Sequence, residues 1–421
     1  MFVMATKVVH KGHTCKGCKS APLDTSAQLG TNDNLDDFST HGGISISDKK
    51  ALQKKARKKY MTMGYSRNLV DASKANPDST LRQSYWNTYH CAKEMTIIRD
   101  SSGNLKCKVA PVEDQNGNLR PGYCKNRWCL VCNSIRTAKL IKTYSPELES
   151  WKDRQFVTLT VPNVEAFDLK ESIDLMQSMF QRIKNRINKR ARRGSGNKLK
   201  GVRKLEIIYK PLRNDFNQHY HLIVEGGENA RLLRTYWLKE YNNSPFVKSG
   251  RWGPANKAAQ DITVADDNSV KELFKYFTKV ISESWKGDRM IYVDAMDILF
   301  NAVKGRRVFQ NFGFKVDNAE LTDEEEALAA KAGRDRAIGS AEWNQDKSDW
   351  GVTAGEDIDE ETGEVRELPK VLSGYVPGDK IKELVTDKVV YRRNHSWKRW
   401  ARSAPTYPNK KRECANTPAV V

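Results

Sequence analysis

Three cysteines packed into nine residues, Cys124, Cys129 and Cys132, limit what this 421-residue chain can fold into more than any other feature. The Cys-x₄-Cys-x₂-Cys spacing supplies three soft ligands that a knuckle can wrap around a tetrahedral Zn²⁺, so the surrounding segment should be a metal-stapled module. A fourth ligand is needed. Cys91 and Cys107 both precede the cluster at zinc-ribbon distances; Cys91 is favoured because it follows the aromatic anchor Tyr85-Trp86, with Cys107 as the alternative. Such bunching within a total of eight cysteines argues for ligation in a reducing compartment rather than for disulfides or scattered buried thiols. His10, His13, Cys15 and Cys18 could hold a second ion, or could equally be vacant ligands in a polar arm.

Five segments follow from pattern and composition. Residues 1–80 read as a flexible basic and polar arm, with a lysine-rich stretch from Lys49 to Lys59 that lacks a strong apolar face. Residues 81–145 form the zinc module, with Asp-Ser-Ser-Gly and Gln-Asn-Gly turns between short strands. From 150 to 315 regular elements take over. Phe156 to Val161 alternates as a strand, and Ile173, Met176, Phe180, Ile183 and Ile187 place one apolar stripe on a helix from Leu169 to about Arg190. Strands at Leu205 to Tyr209 and Tyr220 to Val224, a helix through Leu232, Tyr236 and Trp237, a strand at Ile262 to Val264 and a helix from Ser269 to Ile281 complete the domain. Strands and helices do not alternate as parallel crossovers require, so the expected class is α+β: an antiparallel central sheet flanked by helices, beside the zinc module and flexible termini. Residues 316–370 read as an acidic connector, with a possible short helix at Asp323 to Ala332, and 371–421 as a basic, aromatic tail.

Charge narrows the function classes. Seventy-two basic residues against 52 acidic ones give a formal net charge of +20, which makes nucleic acid the first partner to consider. The sequence has no apolar run of membrane-spanning length and no signal-peptide core, so a cytoplasmic protein without a membrane partner is expected. Eleven lysines and arginines and no acid lie between Arg182 and Lys204. Of these, Arg182, Lys184, Arg186, Lys189, Arg190, Arg192, Arg193, Lys198 and Lys200 are expected to hold DNA phosphates near the chemistry, against the blander reading of a solvated charge run. Trp397 and Trp400, set among basic residues of the tail, could stack on unpaired bases.

Two further constellations carry chemistry. In His219-Tyr220-His221 strand alternation turns both imidazoles to one face, and Glu206 of the preceding strand can lie across from them. Two imidazoles and a carboxylate suit Mg²⁺ or Mn²⁺ with positions left for phosphate oxygens. A His-x-His pair alone would as readily be two half-buried strand histidines. In Lys271 to Lys279, helical spacing puts Glu272, Tyr276 and Lys279 on one face. Tyr276 could attack a phosphodiester to give a phosphotyrosine and a free 3′ hydroxyl, Lys279 could offset charge at phosphorus, and Glu272 could position a water or hydroxyl for a second cleavage. By itself that helix would more often be an ordinary amphipathic surface.

The ordered set of Cys124-Lys125-Asn126-Arg127-Trp128-Cys129-Leu130-Val131-Cys132, Phe156 to Thr160, Gln218-His219-Tyr220-His221-Leu222 and Glu272 with Lys275 to Lys279 resembles plasmid rolling-circle replication initiators of the HUH endonuclease superfamily, single-tyrosine type. The likeness runs from about Tyr85 to Lys315, with Leu130 where the family usually has proline. It implies an HUH endonuclease-like fold in which His219 and His221 bind the catalytic metal and Tyr276 nicks. Glu272 would direct hydrolysis at termination, and Thr158 to Thr160 would lie in the central strand beneath the site. Single-stranded or hairpin origin DNA would be the substrate, with a host helicase and polymerase as partners because no P-loop motif is present. A transposase or relaxase of the same superfamily shares this chemistry. A non-enzymatic zinc-ribbon regulator of DNA or RNA is the alternative from another class.

Overall fold

A computed structural model describes residues 43–385 apart from 114–115, 117–118, 212, 275–281, 284–288, 317–336 and 359–361. The first described element is α1 (Ile46–Ala75), whose first turn is capped by the Ser45 hydroxyl accepting from the Asp48 amide. Leu52, Ala56, Lys59 and Met63 recur at helical spacing and turn toward one core, while Met61, Tyr65 and Leu69 turn toward another. The expectation of a flexible arm over 1–80 is therefore corrected from Ser45 onward. Burial on two sides, with polar Thr62 and Ser66 among the covered residues, erases the single apolar stripe by which an amphipathic helix is recognised.

Next come α2 (Arg82–Tyr89), β1 (Glu94–Arg99), β2 (Leu105–Val109), the small hairpin β3 (Val112–Glu113) and β4 (Leu119–Arg120), and α3 (Leu130–Ser150). The central elements follow: β5 (Arg154–Thr160), α4 (Ala166–Arg192), β6 (Gly201–Lys210), β7 (Asp215–Glu225), α5 (Gly227–Asn242), α6 (Pro245–Lys248), β8 (Asp261–Val264) and α7 (Asp267–Phe274). Beyond them lie β9 (Ser282–Glu283), β10 (Arg289–Met290), α8 (Val293–Val303), β11 (Phe309–Phe312), β12 (Ala337–Asn344), β13 (Asp349–Gly355), β14 (Asp357–Ile358), β15 (Val365–Arg366) and α9 (Asp379–Val385).

The architecture is α+β with antiparallel sheets. The central sheet has five strands in the order β11-β6-β7-β5-β8, all neighbours antiparallel. Alternation gives it two faces with different covers. On one face Leu205, Ile207, Tyr220, Leu222 and Val224 pack under α4 and α5, with Phe180 and Trp237 edge-on to the Tyr220 ring. On the other, Phe156, Val202 and Ile223 meet Tyr144 and Leu148 of α3, its C-cap Trp151, and Val270, Leu273 and Phe274 of α7.

A second sheet, β13-β12-β1-β2, surrounds the cysteine module. Pairing of Met95 with Ala341 and of Trp343 with Trp350 shows that residues 337–355 belong to this module, so the acidic-connector reading of 316–370 is corrected there. Trp350 is fully buried, and its indole N–H donates to the Ala92 carbonyl at 3.0 Å. No helix among the described residues is long and apolar enough to cross a membrane.

Candidate functional site

The β6–β7 register sets Glu206 opposite His219 and Lys204 opposite His221, while β5 sets Thr158 opposite His221 and Thr160 opposite His219. All six residues share the face covered by α3 and α7. The side chains converge: His219 Nε2 lies 3.0 Å from His221 Nε2, and Glu206 Oε2 lies 3.2 Å from His221 Nε2 and 3.9 Å from His219 Nε2. Adjacent ligand atoms around an octahedral ion at about 2.1 Å sit roughly 3.0 Å apart, so the donor set and its spacing fit a divalent cation. Burial alone would raise the Glu206 carboxyl. Its hydrogen bond with His221 and the nearby Lys204, His219 and His221 charges override that and hold it down to about 2, which keeps it an anionic ligand.

Supporting groups fix the rings. Thr158 Oγ1 lies 3.2 Å from His221 Nδ1, and Phe156 stacks on the same imidazole with ring centres 5.3 Å apart. With Nε2 directed at the cluster, Nδ1–H donates to the threonine, an arrangement that sets both tautomer and ring orientation. Lys204 is a residue that the sequence reading counted only as one cation in a basic run. It is 3 % exposed, and its Nζ lies 3.8 Å from Glu206 Oε2. Counting back two positions from Glu206 along the strand would have found it.

The proposed nucleophile, Tyr276, and Lys279 lie outside the described residues. Glu272 lies in α7. That helix packs Leu273 and Phe274 on the imidazole-bearing face, with the Phe274 ring 5.5 Å from Phe309 and 6.2 Å from Tyr144. Phe309 is the β11 partner of Lys204. The end of α7 thus packs through an apolar cluster on the same sheet face that carries Glu206, His219 and His221.

Four cysteines come together at the other end of α3. Cys91 follows α2, Cys124 precedes α3, Cys129 is its N-cap and Cys132 stands in its first turn. Sulfur separations are 3.4 Å for Cys91–Cys132, 3.5 Å for Cys91–Cys129 and 3.6 Å for Cys124–Cys132. A tetrahedral zinc with bonds of about 2.3 Å places its sulfurs roughly 3.8 Å apart, so four thiolates here fit that ion. Cys107 stays outside the group, in β2. Burial pushes its thiol up to about 12.

Within the group, hydrogen bonds from Cys129, Cys132 and Cys91 hold the Cys124 thiol far below its ordinary value, whereas burial drives that of Cys129 far above. Buried Lys59, pushed down to about 8 by burial against the opposing pull of the sulfurs, donates to the Tyr89 carbonyl at 2.7 Å. Tyr65 donates to the Trp128 carbonyl, and the Leu130 amide donates to Thr62, so α1 clamps the knuckle backbone. Through α3 the cluster is tied mechanically to the covering layer of the central sheet.

The basic set divides. Arg182 pairs with Glu240 at 3.1 Å, Arg190 with Glu228 at 3.6 Å and Lys200 with Glu225 at 3.1 Å; Arg186 lies over the Tyr236 ring, and burial lowers Lys184. Lys189, Arg192, Arg193 and Lys198 are exposed and make no ion pair among the described residues. Because α4 covers the face opposite the histidines, the expectation that its basic end lies beside the metal cluster is corrected. Adjacency in sequence to Glu206 misleads, since the connection at 193–200 leads from a helix packed on the opposite face of the sheet into β6. His10, His13, Cys15, Cys18, Trp397 and Trp400 lie outside the described residues.

The fold is thus an α+β chain that gathers two histidines and a carboxylate on an antiparallel sheet and four cysteines at the start of α3, two groups that could each hold a metal ion. Residues 118–351, more than half of the chain, match the family model Rep_1, described as replication protein, and the chain belongs to that family. The matched span contains every residue of both clusters except Cys91. A "Protein rep" of Staphylococcus aureus is 27% identical over 154 residues, covering 35% of this chain and 64% of the relative. A "Protein rep" of Streptococcus pneumoniae serotype 2 is 23% identical over 205 residues, covering 47% of this chain and 57% of the relative. The chain thus spans less than two thirds of each of these curated relatives. No solved structure matches.

Proposed function

We propose that this chain is a plasmid replication initiator of the HUH type, which nicks one strand of origin DNA and leaves a 3′ hydroxyl to prime rolling-circle synthesis. The observation that carries the reading is the convergence of Glu206, His219 and His221 on the sheet face that α7 covers, Tyr276 following that helix by two residues in sequence. Glu206, His219 and His221 would hold Mg²⁺ or Mn²⁺, which when bound withdraws charge from the non-bridging oxygens of the scissile phosphate. Thr158 and Phe156 keep the His221 ring directed at the cluster.

Tyr276 attacks phosphorus through its phenol oxygen. The bond to the 3′ oxygen breaks, the phenol proton is lost to solvent, and the departing oxygen takes one up, leaving a 5′-phosphotyrosine. Lys279 offsets charge at the pentacovalent centre. At termination Glu272 directs a water or hydroxyl to a second phosphate, and a 3′ hydroxyl resolves the phosphotyrosine as ends rejoin. Cys91, Cys124, Cys129 and Cys132 would hold a structural Zn²⁺, which when bound would staple the start of α3 to the segment after α2. Unwinding and synthesis fall to a host helicase and polymerase.

The experiment uses the full chain with Mn²⁺ and labelled single-stranded origin DNA, read on a denaturing gel. Wild-type protein should carry the label and Tyr276→Phe should not, while both still bind the DNA. Unlabelled wild-type protein on every single-stranded and supercoiled substrate from its own replicon would instead favour a non-enzymatic zinc-ribbon regulator.

A further inference from the structure

We propose that the groove at the C-terminal end of α4 holds the phosphodiester backbone of duplex DNA flanking the nick; the inference rests on the initiator reading and assigns its duplex-binding surface. The groove is lined by Asn185, Asn188, Arg192, Gly196, Asn197 and Lys198; the one acid beside it, Glu228 next to Gly196, is paired with Arg190. Its rim is built rather than loose. The Leu199 amide donates to Asn188 Oδ1 at 3.0 Å, Asn229 donates to the Lys198 carbonyl at 3.4 Å, and the Ser195 amide folds back on the Arg190 carbonyl at 3.1 Å. Arg192 and Lys198 line it and Lys189 and Arg193 adjoin its lining residues in sequence, all four exposed and without ion pairs among the described residues, whereas the acids Glu225, Glu228 and Glu240 are engaged with Lys200, Arg190 and Arg182.

Position decides which DNA segment it takes. The loop enters β6 at Gly201, five residues before Glu206, or roughly 17 Å along an extended strand. The sheet itself also intervenes, since α4 packs on the face opposite the histidines. A single strand seated at Glu206, His219 and His221 would have to pass around the sheet to reach the groove. Chemistry favours duplex over single strand: no aromatic side chain lines the groove to stack a base, while amides and cations suit phosphates.

The test replaces Lys189, Arg192, Arg193 and Lys198 together with glutamine in the full chain and measures affinity against salt for origin duplex and for a short single strand carrying the nick site. Four lost phosphate contacts should shallow the logarithmic salt slope on duplex by about 3.6 and weaken duplex binding by roughly tenfold or more at low salt. On the short strand the slope should change by less than about one. An unchanged duplex slope, or an equal loss on both substrates, would overturn the assignment. Wild-type adduct formation is read in parallel; its absence would refute nicking while leaving this comparison of binding slopes intact.

Discussion

Replacing Thr158 with valine removes one hydroxyl and keeps the branched shape that a β-strand accepts. In the structure that hydroxyl lies 3.2 Å from His221 Nδ1, on the opposite side of the ring from the Nε2 that faces Glu206 and His219. Without it, Phe156 still stacks on the imidazole but nothing selects the tautomer that leaves Nε2 unprotonated. Loss of a partner that orients a metal-ligating histidine costs roughly 10- to 100-fold in metal affinity, about 1.4 to 2.8 kcal/mol. Titration of Mn²⁺ into metal-free protein, followed by calorimetry or by the spin resonance signal of free Mn²⁺, reads the change directly. Thermal unfolding without metal should shift little, because the hydroxyl is at a half-buried position and the strand pairing is untouched. Equal Mn²⁺ affinity in Thr158→Val and wild type would refute the assignment of His221 as a ligand oriented through Nδ1.

Other consequences can be checked in the same way. Cys91→Ser should lower the zinc content per chain measured by atomic emission, whereas Cys107→Ser should leave it at one, because only Cys91 lies with Cys124, Cys129 and Cys132. Lys204→Met should slow adduct formation by about tenfold or more by removing a buried cation beside Glu206, while Lys204→Arg retains part of the rate. Asp297 is buried and accepts from Asn76, Ser79, Tyr85 and Asn301, so Asp297→Ala strands several donors and should cost about 3 kcal/mol or more in chemical denaturation. A double variant of Asp297 and Cys91 should show near-additive losses if the two sites are energetically separate.

How far the sequence reached depends on the range of the interactions involved. Alternation within His219-Tyr220-His221 is local, and Glu206 sits in the neighbouring hairpin strand, so their shared face could be read from parity. The α4 stripe was equally legible, because Ile173, Phe180 and Ile187 face one core. By contrast, α1 buries residues toward two cores, including Lys59 and Thr62, and no single-face pattern survives. The pairing of β1 with β12 joins residues more than two hundred positions apart, a contact that local composition does not encode. The basic run before Glu206 deceived for a related reason: distance along the chain is short, but the intervening turn places its helix on the far side of the sheet.

In the proposed reaction a cation at three converging side chains and a phenol two residues beyond α7 in sequence act on one phosphodiester. Peptide mapping by mass spectrometry of protein trapped on origin DNA with Mn²⁺ tests this most directly. A nucleotide phosphate should be found on the peptide at Tyr276, and its yield should collapse in His219→Ala and His221→Ala. Covalent attachment at a different residue, or full yield at Tyr276 in both histidine variants, would contradict the account.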